Sequence, residues 1–138
     1  MKTSDIFNST FTSCAEMLKT ILVLESDSTV RSLVKYSLAP LDYEIVEAPS
    51  RKCAFELLAA GAQPDLIIVG AVESQSGPVE FLREIRKVQS LRFVPVLVVA
   101  TKDDLDDQMA WKQAGATCWI TKPIRQEELR EMVDLLIF

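Results

Sequence analysis

Short, mostly apolar segments alternate with segments whose apolar residues recur at helical spacing, from residue 20 to the end of the chain. Each apolar segment is bounded by turn residues, which is typical of strands buried within a parallel sheet. The pattern predicts five strands, at residues 21–24, 43–47, 66–70, 96–100 and 118–121. A predicted helix follows each strand.

The segments between the strands carry residues that usually begin and end helices. Ser28 and Ser50 are predicted N-caps, because a serine hydroxyl can accept a hydrogen bond from a backbone N–H of the first turn. Pro78 suits the first turn of a third helix, and apolar spacing predicts two more helices over 103–114 and 125–138. Residues that stop helices follow three of these segments: Pro40, Gly61 and Gly115.

Five strand–helix units predict a single α/β domain, in which helices cover both faces of a doubly wound parallel sheet. In such sheets the functional cleft lies beyond the carboxyl ends of the strands. The residues near those ends are therefore the candidates for function: Glu25, Ser26, Gly70, Ala100, Thr101 and Lys122. Residues 1–19 lack a strong period, and we interpret them as an N-terminal extension or linker before a domain over residues 20–138.

Composition and charge narrow the function classes. The 138 residues suit one domain, and the net charge of −5 argues against a nucleic-acid surface, which needs clustered Lys and Arg. The longest apolar runs are far shorter than the roughly 20 residues that span a membrane. The three cysteines form no CxxC pair and histidine is absent. We therefore expect reduced thiols in a cytoplasmic protein, and no metal site built from these residues.

Seven stretches resemble the receiver domains of response regulators: ILVLESDSTVRSLV, YEIVEAP, PDLIIVG, VEFLREIR, VPVLVVAT, AGATCWITKPI and EELREMVDLL. The strongest single signal is Lys122-Pro123 after a strand and after Gly115-Ala116. The resemblance covers residues 20–138 and implies a flavodoxin-like receiver fold, with strand order 2-1-3-4-5 and five helices. It also implies a signalling module of a two-component system rather than an enzyme.

The resemblance further implies a phosphorylation site at the carboxyl ends of the strands. In the family, an aspartate that ends the third strand is the nucleophile that accepts the phosphoryl group. An acidic pair after the first strand helps this aspartate to hold Mg²⁺. A Thr or Ser that ends the fourth strand and a Lys before Pro bind the phosphoryl oxygens. This sequence carries other residues at most of these positions: Gly70 for the acceptor, Glu25-Ser26 for the acidic pair, Ala100 for the hydroxyl, and the retained Lys122.

These replacements predict a domain that is not phosphorylated. Gly70 has no side chain to phosphorylate, and with two of three carboxylates missing we expect weak or absent Mg²⁺ binding and no cofactor. The leading interpretation is an atypical pseudo-receiver that acts through protein–protein interaction, with Lys122 paired to Glu25. One alternative is a phosphorelay receiver with an unusual acceptor, such as Glu73. The other is a small-ligand sensor that uses the emptied cleft around Gly70.

Trp119 lies where the family carries an aromatic switch. The small Ala100 leaves space toward the cleft, so one hypothesis holds Trp119 inward permanently, as part of a constitutive signalling surface. The alternative is ordinary packing with the indole N–H at the surface. Thr101, next to Ala100, is expected to point elsewhere because side chains alternate along a strand.

Four residues are candidates for a partner surface. Trp111 lies off the face that carries Leu105 and Met109, which predicts an exposed anchor. Leu135 and Phe138 also lie off the inner face of the last predicted helix. With Trp119 they predict an apolar patch on the face built by the fourth helix, fifth strand and fifth helix. In the family that face docks protein partners or a second copy of the domain.

Overall fold

The computed structural model describes residues 18–70 and 78–137. Within them, five parallel strands form one sheet in the order β2-β1-β3-β4-β5. The strands are β1 (Lys19–Leu24), β2 (Tyr43–Ala48), β3 (Leu66–Val69), β4 (Val96–Ala100) and β5 (Cys118–Thr121). The predicted strand order is confirmed.

Five helices cover the two faces of the sheet: α1 (Ser28–Leu38), α2 (Arg51–Ala59), α3 (Pro78–Lys87), α4 (Gln108–Ala114) and α5 (Gln126–Leu136). Because side chains alternate along a strand, the central strands contribute to two cores. Ile21 and Ile68 pack with α1 and α5 on one face. Leu22 and Ile67 pack with α2, α3 and α4 on the other. None of the helices in residues 18–70 and 78–137 is long and apolar enough to cross a membrane.

The structure tests both predicted serine caps. Ser50 caps α2 as predicted, since its hydroxyl accepts a hydrogen bond from the Cys53 N–H at 3.1 Å. The prediction for Ser28 is wrong, because the N-cap of α1 is Asp27, whose Oδ1 accepts from the Thr29 N–H at 2.8 Å. Asp is as good a capping residue as Ser, and its position one residue earlier makes Ser28 the first residue of the helix.

The predicted helix over 103–114 is shorter in the structure. Lys102–Asp107 forms a 3₁₀ helix, and α4 begins only at Gln108. Four aspartates lie in this segment, and Asp side chains compete for the backbone hydrogen bonds that an α-helix needs. Gly115 follows α4 as predicted, in the left-handed conformation with φ of 117°.

The change of helix type alters which residues of α4 face inward. The prediction that Trp111 is exposed is wrong, because only 1% of its surface is accessible, whereas Met109 is 66% exposed. A 3₁₀ helix has three residues per turn instead of 3.6. If α-helical spacing is assumed from residue 103 onward, the residues assigned to the inner face of α4 are therefore the wrong ones. Trp111 is a core residue beneath α4, not an exposed anchor.

Candidate functional site

The carboxyl ends of four strands bring candidate residues together. Gly70 follows β3, and its N–H donates to the Leu24 carbonyl of β1 at 2.8 Å. Lys122 follows β5, and its N–H donates to the Ala100 carbonyl of β4 at 2.7 Å. The parallel hydrogen-bond ladder thus continues one residue past these strands. It fixes the backbone of Gly70 and Lys122 at the edge where Glu25 leaves β1.

Glu25 places a carboxylate in the middle of this cluster, and only 1% of the residue is exposed. Its Oε1 lies 3.6 Å from the Nζ of Lys122. Its Oε2 accepts a hydrogen bond from the Asp27 N–H at 3.0 Å. A buried carboxylate is costly unless it is paired and hydrogen-bonded, and here both oxygens are engaged. The predicted pair between Glu25 and Lys122 is present.

Gly70 is buried beside this carboxylate, and the space around it explains the absence of a side chain. A Cβ built on Gly70 would overlap Glu25 Oε1 and would lie 3.0 Å from Glu25 Cδ. Gly70 is not among the glycines with positive φ, which are Gly61 and Gly115 in the described residues. A side chain at this position would therefore require the Glu25 carboxylate to move. The Glu25 carboxylate fills the volume that a side chain at Gly70 would enter.

Arg31 holds the loop that carries Glu25, and sequence reasoning missed it. Its Nη1 donates to the carbonyls of Glu25 at 2.7 Å and Ser26 at 3.3 Å. Its Nε lies 3.4 Å from Glu47 Oε1 in β2. A signal was available, because side chains of a helix tilt toward its N-terminus. A long cation in the first turn of α1 is therefore directed back toward the end of β1.

The last residue of β4 and the residue after it differ in burial. Ala100 is 4% exposed and contributes a methyl group to the core beneath α4. Thr101 is exposed. The expectation that its hydroxyl points away from the cleft stays a prediction.

Trp119 packs against this same core and is partly exposed. Its ring meets the buried ring of Trp111 edge-on, with centroids 5.9 Å apart and planes at 69°. Edge-to-face pairs of this kind are favourable beyond the area they bury. The accessible side of Trp119 lines an open groove of about 570 Å³, which Lys122, Arg125 and Met132 also border.

The predicted four-residue apolar patch does not form as expected. Trp111 is buried, and Phe138 lies outside the described residues. Leu135 is 67% exposed, but it borders a different groove from Trp119, at the amino ends of the strands. The apolar spacing of α5 gave the exposure of Leu135 correctly, but could not show which groove it faces.

In residues 18–70 and 78–137, no three or more His, Cys, Asp or Glu side chains are grouped so that they could hold a metal ion. At the carboxyl ends of the strands, Glu25 is the acidic residue inside the cluster, and its carboxylate is paired with Lys122. Asp27 is exposed and uses its side chain to cap α1. The alternative acceptor Glu73 lies outside the described residues.

Comparison with known proteins identifies relatives of the whole α/β unit. A family model described as the response regulator receiver domain matches residues 21–134. The phosphate regulon transcriptional regulatory protein PhoB of Pseudomonas aeruginosa is 25% identical over 111 residues, which cover 80% of this chain and 48% of PhoB. The chain therefore spans about half the length of this curated relative.

Solved structures agree with this fold. The chemotaxis protein CheY4 of Vibrio cholerae superposes with a TM-score of 0.78 at 24% identity, over 87% of this chain and 99% of that one. The receiver domain of the sensor histidine kinase PA1611 of Pseudomonas aeruginosa PAO1 was solved with a magnesium ion coordinated in its active-site cleft. It superposes with a TM-score of 0.75 at 21% identity, over 86% of this chain and 97% of that one.

Proposed function

The chain belongs to the response regulator receiver family, whose model matches residues 21–134, and on that premise we propose that it is a pseudo-receiver. In this proposal the domain transmits a signal through contact with protein partners and without being phosphorylated. It is a binding module of two-component signalling rather than an enzyme.

The observation that carries the proposal is the position of the Glu25 carboxylate. It occupies the space next to Gly70 in which an acceptor side chain would stand, and it pairs with the retained Lys122. In this proposal the Glu25 carboxylate takes the position beside the lysine that a phosphoryl group would otherwise occupy. In a phosphorylated receiver the phosphoryl group would supply the negative charge at this position, and fixed cationic donors would bind it.

The residues present do not fit Mg²⁺. This ion requires a near-ideal octahedral set of oxygen ligands, usually including carboxylates. The cluster offers the Glu25 carboxylate, which already faces the Lys122 ammonium at 3.6 Å, and Gly70 and Ser26 supply no carboxylate. A cation here would meet the positive charge of Lys122 with little compensation. We therefore expect Mg²⁺ to bind weakly or not at all.

The packing of Trp119 supports the proposal of a constitutive signalling surface. Trp119 packs edge-on against buried Trp111, and Ala100 has no hydroxyl that could move in response to a phosphoryl group. Trp119 and Lys122 border the same groove between β5 and α5. In this proposal, this groove is the part of the surface that a partner contacts.

An amide NMR titration with Mg²⁺ and beryllofluoride, which mimics a phosphoryl group on aspartate, tests the proposal. We expect no saturable shifts at Glu25, Gly70, Lys122 or Trp119. The PA1611 receiver, titrated in parallel with Mg²⁺, serves as the positive control, since its structure contains magnesium in the active-site cleft. Saturable shifts that spread from the cleft to Trp119 would overturn the proposal.

Intact mass measured after incubation with acetyl phosphate tests the phosphorelay alternative. Gain of one acid-labile phosphoryl group would favour an unusual acceptor, whereas an unchanged mass supports the pseudo-receiver. The other alternative, a small-ligand sensor that uses the cleft around Gly70, is tested by a thermal-shift screen with a panel of ligands.

A further inference from the structure

An apolar groove of about 460 Å³ lies at the amino ends of the strands, at the opposite end of the sheet from Gly70. The loop before β4 contributes Phe93 to it, and the last turn of α5 contributes Leu135. Lys19, which begins β1, and Asp65, which precedes β3, form part of its border. The groove is thus separate from the cleft that contains the Glu25 carboxylate.

Exposed apolar side chains are concentrated at this end of the sheet. Leu18 directly precedes β1, Val88 and Phe93 lie in the connection between α3 and β4, and Leu135 borders the groove from α5. They are four of the six large apolar residues that are exposed in residues 18–70 and 78–137. A single exposed apolar residue is ordinary, but several at one end of a domain, beside charged residues, mark a surface for contact with a protein.

The charges on the border make this surface complementary to a second copy of itself. Lys19 is exposed and Asp65 is partly exposed, and their strands, β1 and β3, are neighbours in the sheet. Asp65 Oδ2 accepts a hydrogen bond from the Thr20 N–H at 2.8 Å, and a carboxylate can accept further bonds through its other oxygen. In a two-fold contact each surface meets its own copy, so the lysine of each copy can face the aspartate of the other. The chain as a whole has a net charge of −5, which opposes self-association at acidic surfaces, whereas the charges of Lys19 and Asp65 balance.

We propose that this surface is the contact between two copies of the domain in a two-fold symmetric dimer. Phe93 and Leu135, which are 89% and 67% exposed, form the apolar centre, and Lys19 and Asp65 pair reciprocally at its border. An apolar centre within a polar rim is the usual composition of a protein interface. A groove of about 460 Å³ accepts only a few side chains, so the contact is small and the dimer dissociates on dilution.

The position of the contact leaves the other end of each domain accessible. The carboxyl ends of the strands, with Glu25 and Lys122, face away from the contact in both copies. The dimer therefore presents two clefts outward, and this inference does not depend on whether the cleft is phosphorylated.

Sedimentation velocity of the full chain, from about 1 μM to about 1 mM to cover weak affinities, tests the proposal. We expect the sedimentation coefficient to rise with concentration from that of a monomer to that of a dimer. Phe93→Ser and Leu135→Ser should each raise the dissociation constant at least about tenfold, because each removes apolar surface that the dimer buries. The matched control is Met109→Ser, at an exposed apolar residue on α4, which should leave the dissociation constant unchanged.

Two results would overturn the proposal. One is a chain that stays monomeric at every concentration, which would leave the groove to a protein of different sequence. The other is a dimer that Met109→Ser weakens and Phe93→Ser does not, which would place the contact on α4.

Charge reversal tests the reciprocal pairing. Lys19→Glu and Asp65→Lys each place like charges opposite one another in the dimer, so each variant alone should associate less tightly than the wild type. A mixture of the two should form a heterodimer, because opposite charges then face each other at both sites. A mixture that associates no more tightly than its separate components would contradict the two-fold arrangement.

Amide NMR dispersion checks that the variants fold, since Asp65→Lys removes the hydrogen bond to the Thr20 N–H. If that variant does not fold, Lys19→Glu/Asp65→Asn replaces it, because asparagine keeps an acceptor oxygen. This double variant should dimerise more tightly than Lys19→Glu, since it removes the repulsion between the carboxylates. Equal dissociation constants for the two would contradict the pairing.

Discussion

A methyl group added at Gly70 would overlap the Oε1 atom of Glu25. Gly70→Ala therefore forces a buried carboxylate to move, and overpacking of this kind costs about 1–3 kcal/mol. Glu25→Ala removes the obstructing atoms, so in that background the cost of Gly70→Ala should fall to less than about 1 kcal/mol. Urea unfolding of the wild type, both single variants and the double variant measures this coupling.

Gly61 provides a matched control, because its requirement for glycine is conformational. It has a φ of 108°, and no atom lies within 4 Å of an added Cβ. Gly61→Ala should cost about 1–2 kcal/mol whether or not Glu25 is replaced. If Gly70→Ala lowers the free energy of unfolding equally in the wild type and in Glu25→Ala, the steric dependence of Gly70 on Glu25 is refuted.

At the scale of secondary-structure elements, a hydrogen bond joins β2 to α5. The Tyr43 hydroxyl donates to Asp134 Oδ1 at 3.0 Å. Desolvation, followed by this hydrogen bond and the charge of Asp134, raises the pKa of Tyr43 above 10.0. The folded state therefore favours the neutral phenol. This contribution to stability is complete below the unfolded-state pKa and is lost as the pH rises through the folded-state pKa.

The free energy of unfolding of the wild type should thus fall relative to that of Tyr43→Phe as the pH rises above about 10. Urea unfolding at pH values on both sides of this point measures the difference. Tyr36→Phe is the control, because Tyr36 is 68% exposed and its loss should not reproduce the change. Parallel pH dependences of the wild type and Tyr43→Phe would show that the link to Asp134 does not affect stability.

Substitution of Trp111 tests which side of α4 is buried. Since its side chain is buried beneath the helix, Trp111→Ala should lower the free energy of unfolding by about 3–5 kcal/mol. Met109, two residues earlier, is 66% exposed, so Met109→Ala should change stability by less than about 0.5 kcal/mol. Chemical denaturation of both variants makes the comparison. If Met109→Ala costs more stability than Trp111→Ala, then Trp111 lies on an exposed face, as apolar spacing alone predicted.

At the scale of the whole molecule, the layered fold was predictable because it follows from local patterns. Buried parallel strands must be almost wholly apolar, and Leu66–Val69 and Val96–Ala100 carry that signal in the sequence. The ends of β3 and β5 placed Gly70 and Lys122 at one edge of the sheet. The pairing of Glu25 with Lys122 was predicted, but the overlap of its carboxylate with the space beside Gly70 was not, because it depends on the side-chain conformation. The buried side of α4 was also not predictable, since it depends on the 3₁₀ helix before it, which apolar spacing does not reveal.

If the domain is a pseudo-receiver as proposed, the cleft residues predict which substitutions would make phosphorylation possible. Gly70→Asp alone would clash with Glu25, whereas the shorter Glu25→Asp makes room, and Ser26→Asp adds the missing carboxylate. The triple variant should gain one phosphoryl group from acetyl phosphate in the presence of Mg²⁺, and chelation of the metal should abolish the gain. The rate should remain low, because Ala100 supplies no hydroxyl to the phosphoryl oxygens.

The matched control is the double variant Glu25→Asp/Ser26→Asp, which has the acidic pair but keeps Gly70. Its intact mass should not change under the same conditions. Equal labelling of the double and triple variants would place the acceptor elsewhere in the chain. A triple variant that keeps its amide NMR dispersion yet gains no phosphoryl group would show that changing Glu25, Ser26 and Gly70 is not sufficient for phosphorylation. Labelling of the triple variant alone would mean that these three positions separate this domain from a phosphorylated receiver, while Lys122 and the sheet beneath it have kept the geometry of the site.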